Sequence, residues 1–346
     1  MFKVEPIARE RIDTWTIRES GLPTRVVNGA RLAHMATVGQ LREKTTAELI
    51  TLRAIGRISV RDIQRFFDIC NRIEKGTLVF ITIQEVFDLF LDKEEMDILT
   101  RRYGLLRTEH QASRNFMTLQ EVGNELQLTR ERIRQVESIA LTNLKSRLAA
   151  CCLQPFYLYL RAFIGSRNKA ITCQDIADLE GQSWLAGYNP CPILLLLHDL
   201  DPSQYTEYNG VFSLLPLNVL RRAEANAQAT LEQQARPVNL DELVRTVDNP
   251  DGAWTAAALS KLLDHCDKVA ATTDGRYFLF AQGSEAFLKE LMSQTERPVH
   301  YRSLTALFNE RLKPACRKGN GYILKLLNAS SQFVKTDRGY YDLADA

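Results

Sequence analysis

The sequence predicts a mainly α chain: a helix-hairpin-helix module, a helix-turn-helix module, and then tandem winged-helix-like (α+β) units. Three observations predict it. Apolar residues recur at helical spacing over 21–75 and again over 80–148. From about Leu153, short helical patterns alternate with segments in which a Gly precedes alternating aromatic and aliphatic residues, the signature of a turn and a short strand. Those strand signals return at an almost constant interval.

The interval is read from Gly210, Gly275 and Gly339, which open Gly210-Val211-Phe212-Ser213-Leu214, Gly275-Arg276-Tyr277-Phe278-Leu279 and Gly339-Tyr340-Tyr341-Asp342-Leu343. Upstream, Arg236-Pro237-Val238 repeats as Arg297-Pro298-Val299. Each is followed by two helical patterns (Leu240, Leu243, Val244 and Leu259, Leu262, Leu263, then Leu304, Leu307, Phe308 and Ile323, Leu326, Leu327). A looser copy has Ile171-Thr172, Ile176 and Ile193–Leu197 in the matching places. Helix, helix, then a strand pair with a turn gives three winged-helix-like units in tandem. The expected divisions are an N-terminal arm over 1–20, a helix-hairpin-helix module over 21–75 and a helix-turn-helix over 80–150. The first winged-helix-like unit follows over 153–216, a linker helix (Leu217–Gln234) with the second over 217–283, and the third over 284–346.

The 346 residues are 45% hydrophobic and 25% charged, an ordinary globular composition long enough for two or more domains. No signal-peptide pattern is present, and no apolar run reaches the ~18 residues of a membrane span. The seven Cys (70, 151, 152, 173, 191, 266 and 316) include no C-x-x-C pair, which predicts reduced, mostly buried thiols and a cytoplasmic, nucleoid-associated protein. Net charge is +2, but residues 101–150 carry nine Lys/Arg against five Asp/Glu, a local excess of 9 − 5 = 4. Residues 151–346 are near neutral, with 20 against 22. A local basic excess is what a phosphate-facing element needs. Near-neutral winged-helix-like units are expected to include some that bind protein.

Within that basic stretch, Thr118 is placed to cap a short helix, with Glu121 completing a capping box and Val122 and Leu126 forming the buried side. Thr129 caps the next helix. Its Ile133, Val136, Ala140, Leu141 and Leu144 share one face, leaving Arg130, Glu131, Arg134 and Gln135 on the other. An exposed helix start bearing long hydrogen-bonding side chains suits base edges and phosphates in a major groove.

The run Thr129-Arg130-Glu131-Arg132-Ile133-Arg134-Gln135-Val136-Glu137, set after Thr118-Leu119-Gln120-Glu121-Val122-Gly123 and Arg102-Tyr103-Gly104, resembles region four of primary bacterial sigma factors. That resemblance implies a helix that reads the −35 promoter element. Arg130, Glu131 and Gln135 would lie at base edges and Arg134 beside them toward the backbone, with Thr118, Arg101 and Arg102 at phosphates. The loop Leu105–Met117 is longer and differently composed than the usual family turn, and its polar centre, Thr108–Asn115, reads as mobile.

Residues 21–75 begin Leu22-Pro23-Thr24-Arg25-Val26-Val27-Asn28 and continue through Gly39 to Ile55-Gly56-Arg57-Ile58-Ser59. Ile55-Gly56 before Ser59 reads as a hairpin between helices, where backbone N–H groups can meet a phosphate. With its separations from Arg25 to Gly39 to Gly56, this segment resembles the C-terminal domain of the RNA polymerase alpha subunit. The resemblance implies contact with an A/T-rich minor groove by Arg25, supported by Asn28, Gly56 and Ser59. Ile58 stands where that family usually has Lys, which removes one phosphate contact.

None of the five His (34, 110, 198, 265 and 300) has metal-ligand spacing, and no Walker, G-x-S-x-G or H-E-x-x-H motif appears. The expectation is no enzyme, no cofactor and no metal. It is a bacterial, sequence-specific double-stranded DNA-binding transcription regulator, with RNA polymerase as a possible partner and a homo-oligomer possible. It has neither the −10-opening region of a complete sigma factor nor the assembly portion of an alpha subunit. Two other readings stay open: a polymerase-binding adaptor of a mobile element or defence system, and a non-specific DNA-bridging protein.

Overall fold

The computed structural model describes all residues except 107–115, 174, 177–178, 180–182, 248–254 and 345–346; the polar loop Thr108–Asn115 lies outside the described residues. The chain forms two compact units, Met1–Phe163 with Cys173–Gln204, and Ile164–Thr172 with Tyr205–Ala346.

In the first unit, β1 (Phe2–Lys3) pairs antiparallel with β2 (Val79–Phe80), and α1 (Arg9–Asp13) follows. The expectation of an arm over 1–20 is therefore corrected. Apolar residues are few there, but Val4, Ile12, Trp15 and Ile17 are all buried. Phe2 stacks on Phe156 with ring centroids 4.2 Å apart.

Next come α2 (Thr24–Leu32), α3 (Val38–Arg42), α4 (Thr46–Thr51) and α5 (Arg57–Glu74). Thr37 with Gln40 and Thr45 with Glu48 form the capping boxes that start α3 and α4. Arg42 sits between Asp13 of α1 (3.2 Å) and Glu74 of α5 (2.8 Å). None of the three makes an aligned hydrogen bond there, so charge alone holds the triad. The guanidinium also lies 5.2 Å from the Phe67 ring centroid.

The unit continues through α6 (Ile83–Phe90), α7 (Lys93–Tyr103), α8 (Leu119–Leu126), α9 (Arg130–Leu144) and α10 (Arg147–Ser166). α10 is long and apolar enough, by length and composition, to cross a membrane, which the sequence reading did not single out. Its Leu148, Cys152, Leu153, Phe156, Leu160 and Ile164 are buried inside the protein, the pattern of a core helix.

The expected boundary near 150–153 falls inside α10, and the segment expected as one unit, 153–216, is divided between the two compact units. The cause is the stretch before and along α11 (Pro190–Leu200). There Trp184 packs on Phe2, Phe156 and Tyr159, and Tyr188 on Phe87. The Asn189 amide donates to the Leu105 carbonyl at 2.7 Å, and the Tyr103 hydroxyl bonds Asp199 at 2.8 Å. Cys173 and Cys191 form a disulfide, correcting the expectation that all thiols are free; eighteen residues of separation gave no motif to read. The other five Cys are free, and four of them are buried.

The second unit holds three small antiparallel sheets. β3 (Ala170–Thr172), β4 (Thr206–Tyr208) and β5 (Val211–Ser213) take the order β3-β5-β4. After α12 (Leu217–Gln234) come β6 (Val238–Asn239), α13 (Leu240–Thr246), α14 (Ala256–Asp264), β7 (Val269–Ala271) and β8 (Arg276–Leu279), ordered β6-β8-β7. After α15 (Phe280–Ser293) come β9 (Val299–His300), α16 (Tyr301–Glu310), α17 (Asn320–Ala329), β10 (Phe333–Asp337) and β11 (Tyr340–Leu343), ordered β10-β11-β9. In every sheet the last strand is central. Gly210, Gly275 and Gly339 each have φ near +80° at the turn into it, which explains their regular recurrence. One core joins all three repeats, running from Ala170 and Val211 through Leu220 of α12, Phe278, Phe287 and Phe308 to Tyr341.

Candidate nucleic-acid interface

The helix-turn-helix is fixed by its caps. Asp92 and Glu95 box the start of α7, which ends in left-handed Gly104. Thr118 and Glu121 box α8, which ends in left-handed Gln127. The Thr129 hydroxyl accepts from the Arg132 amide and starts α9. The turn between α8 and α9 is tight: a side chain at Gly123 would place its Cβ 2.7 Å from the Leu128 carbonyl oxygen. Ile98, Val122, Ile133 and Val136 form the small core, with Met117, Leu119, Leu126 and Leu128 at its margin. As expected, Ala140 and Leu144 are buried too, with Leu141 half-buried. Thr129→Ala is expected to lower the stability of this module by about 1 kcal/mol, read as earlier urea unfolding, because one amide of α9 loses its acceptor.

The polar residues of α9 divide into two sets. Arg132, Glu137 and Asn143 face α7. Arg132 bonds both oxygens of Glu94 at 3.0 Å, Glu137 accepts from Arg102 at 2.8 Å, and Asn143 donates to buried Glu95 at 3.0 Å. Burial raises the Glu95 carboxyl above its ordinary pKa.

Arg130, Glu131, Arg134 and Gln135, the four residues expected in the major groove, are all exposed. Arg134 makes a fork onto Glu131 (2.8 and 2.7 Å), and Gln135 donates to the same carboxylate at 3.2 Å. Hydrogen bonds from Arg134 and then Gln135 hold the Glu131 carboxyl at about 2. It is therefore ionised throughout the neutral range, and only acid that drives pH down toward that value removes its charge. The edge is an ordered set of donors around one acceptor, with its polar atoms open to solvent.

The two expected backbone cations behave differently. Arg101 pairs with Asp97 at 3.2 Å and with Glu125 of α8. Arg102 bonds Glu137 and the Met117 carbonyl. Both guanidiniums are spent bracing the module, and sequence alone carried no signal for that. Thr118 uses its hydroxyl as the cap of α8.

Residues 91–146 match the family model for sigma-70, region 4. They form a sigma-70 region 4 domain. RNA polymerase sigma factor RpoD of two Helicobacter pylori strains is 42% identical to this chain over 64 residues. That stretch is 18% of the chain and 9% or 8% of each relative, so the chain covers less than a tenth of the curated relatives it matches. No solved structure matches the chain. Sigma-70 region 4 is a DNA-binding helix-turn-helix, which gives the chain a DNA-binding, transcription-related part.

At the second expected site, α4 leads through Leu52–Gly56 into α5. Gly56 is exposed, and a Cβ there would meet nothing within 4 Å. Asn28 is exposed on α2. Arg25 is exposed but engaged, its guanidinium bonding Asp62 of α5 at 2.5 and 3.0 Å. Ser59 departs from expectation. It is buried in the first turn of α5, so its hydroxyl is not offered to DNA, while Ile58 beside it is 62% exposed.

Proposed function

We propose that this chain is a sequence-specific double-stranded DNA-binding transcription regulator. It reads promoter-like DNA, a −35-like element with A/T-rich DNA upstream, in association with RNA polymerase at the bacterial nucleoid. One observation carries the reading: the region 4 domain leaves Arg130, Glu131, Arg134 and Gln135 on an uncovered helix edge. Arg and Gln are the side chains that bond guanine and adenine edges in a bidentate way.

Thr118, at the start of α8, contacts the backbone, while Arg101 and Arg102 keep their bracing ion pairs and stiffen the reading head. Arg25, Asn28 and Gly56 meet the upstream minor groove, with Arg25 exchanging Asp62 for the groove's negative potential. Ser59 drops out of that contact set. The shared strand order of the three sheets supports the winged-helix-like assignment of the C-terminal repeats.

Selection of bound sequences from random duplex DNA with the full chain tests this. Enrichment of a −35-like hexamer with an A/T tract upstream is the expected result. Recovery of nothing above background would overturn it and favour the adaptor reading.

A further inference from the structure

Between residues 16–36, which include α2, and residues 142–147 at the end of α9 runs a groove of about 1010 Å³. Its walls carry Arg18, Arg31, His34, Lys145 and Arg147, all exposed, against a single carboxylate, Glu19. Glu19 is taken by Arg147 at 3.4 Å. Among the described residues Arg18, Arg31 and Lys145 have no acidic partner. Three cations, one from the segment before α2, one from α2 and one from the residue that caps α9, therefore line one open surface.

We propose that this groove is a track for the phosphodiester backbone of duplex DNA, bridging the region 4 reading head and α2. The inference rests on the proposed function for its orientation, since the groove is bordered by Asn28 on α2 and by Thr142 on α9. Its cations stand on separate, exposed, flexible stems. That arrangement fits a succession of phosphates better than one small anion, which calls for convergent, buried donors.

The walls do not slide on each other. The Arg147 amide donates to the Glu19 carbonyl at 2.8 Å and the Leu148 amide to the Ser20 carbonyl at 3.2 Å, with Ser20 and Ser146 buried at the seam. The two DNA-facing elements are thus held at a fixed separation, rather than tethered by a flexible linker.

Binding of the full chain to the selected duplex and to a random duplex, each across a salt series, tests the track. For Arg31→Ala/Lys145→Ala the slope of log affinity against log salt should become shallower by about two on both duplexes, since each phosphate contact contributes ~0.9. The preference for the selected duplex should not change. Arg31→Lys/Lys145→Arg should keep the wild-type slope, which separates charge from folding. An unaltered slope in the Ala variant overturns the track, even with site recognition intact. A shallower slope on both duplexes with no preference for the selected one keeps the track and overturns promoter reading instead.

Discussion

Arg130→Ala and Gln135→Ala are each expected to weaken binding to the selected duplex by about 5- to 150-fold, or ~1–3 kcal/mol, with little change on random DNA. Both residues stand on the exposed start of α9, and neither supports the core formed by Ile98, Val122, Ile133 and Val136. Folding should therefore be unaffected, and the loss should appear as relaxed specificity at one or two base positions, because base contacts specify while phosphate contacts position. Arg134→Ala is a different experiment. It removes the fork onto Glu131 and leaves that carboxylate held by Gln135 alone on the proposed DNA-reading edge. A drop with all three variants that is equal on selected and random duplex would mean that the edge adds only charge. Site recognition by α9 would then be wrong.

The reading head was legible because its signals are local. Thr118 with Glu121, Thr129 before Arg130, and the apolar spacing from Ile133 to Leu144 act within one or two helical turns. The helix over Leu217–Gln234 and the three strand pairs that turn at Gly210, Gly275 and Gly339 were readable for the same reason. What was not legible depended on distant partners. The first twenty residues look polar in sequence, yet Phe2 packs on Phe156 and Trp184, both distant along the chain. The Cys173–Cys191 bridge and the division of 153–216 likewise depend on where Trp184, Tyr188 and α11 pack. Arg101, Arg102 and Arg25 show the matching limit for the site. A basic residue in a run reads as a phosphate ligand until Glu125, Glu137 or Asp62 is seen beside it.

The largest expected loss of stability comes from a residue remote from DNA. Arg42→Met should destabilise the first unit by about 3 kcal/mol, the low end for breaking a buried ion pair. Its side chain is 11% exposed and sits between Asp13 and Glu74. Met fills much of the volume but removes the cation shared by Asp13 and Glu74, where α1, α3 and α5 converge, leaving Asp13 only its exposed partner Arg9 at 3.5 Å. Asp13 and Glu74 retain some access to water, at 27% and 18%, which keeps the cost from running higher. Trp15 and Trp184 lie in this unit and Trp254 in the other, so in a Trp254→Phe background the urea midpoint of tryptophan fluorescence reports it. Combining Arg42→Met with Asp13→Asn and Glu74→Gln should recover a good part of the loss, since the uncompensated charges go with the partner. If Arg42→Met alone leaves the midpoint in place, the triad is solvated in solution, and apolar packing by Ile12, Trp15 and Leu41 carries the N-terminal segment.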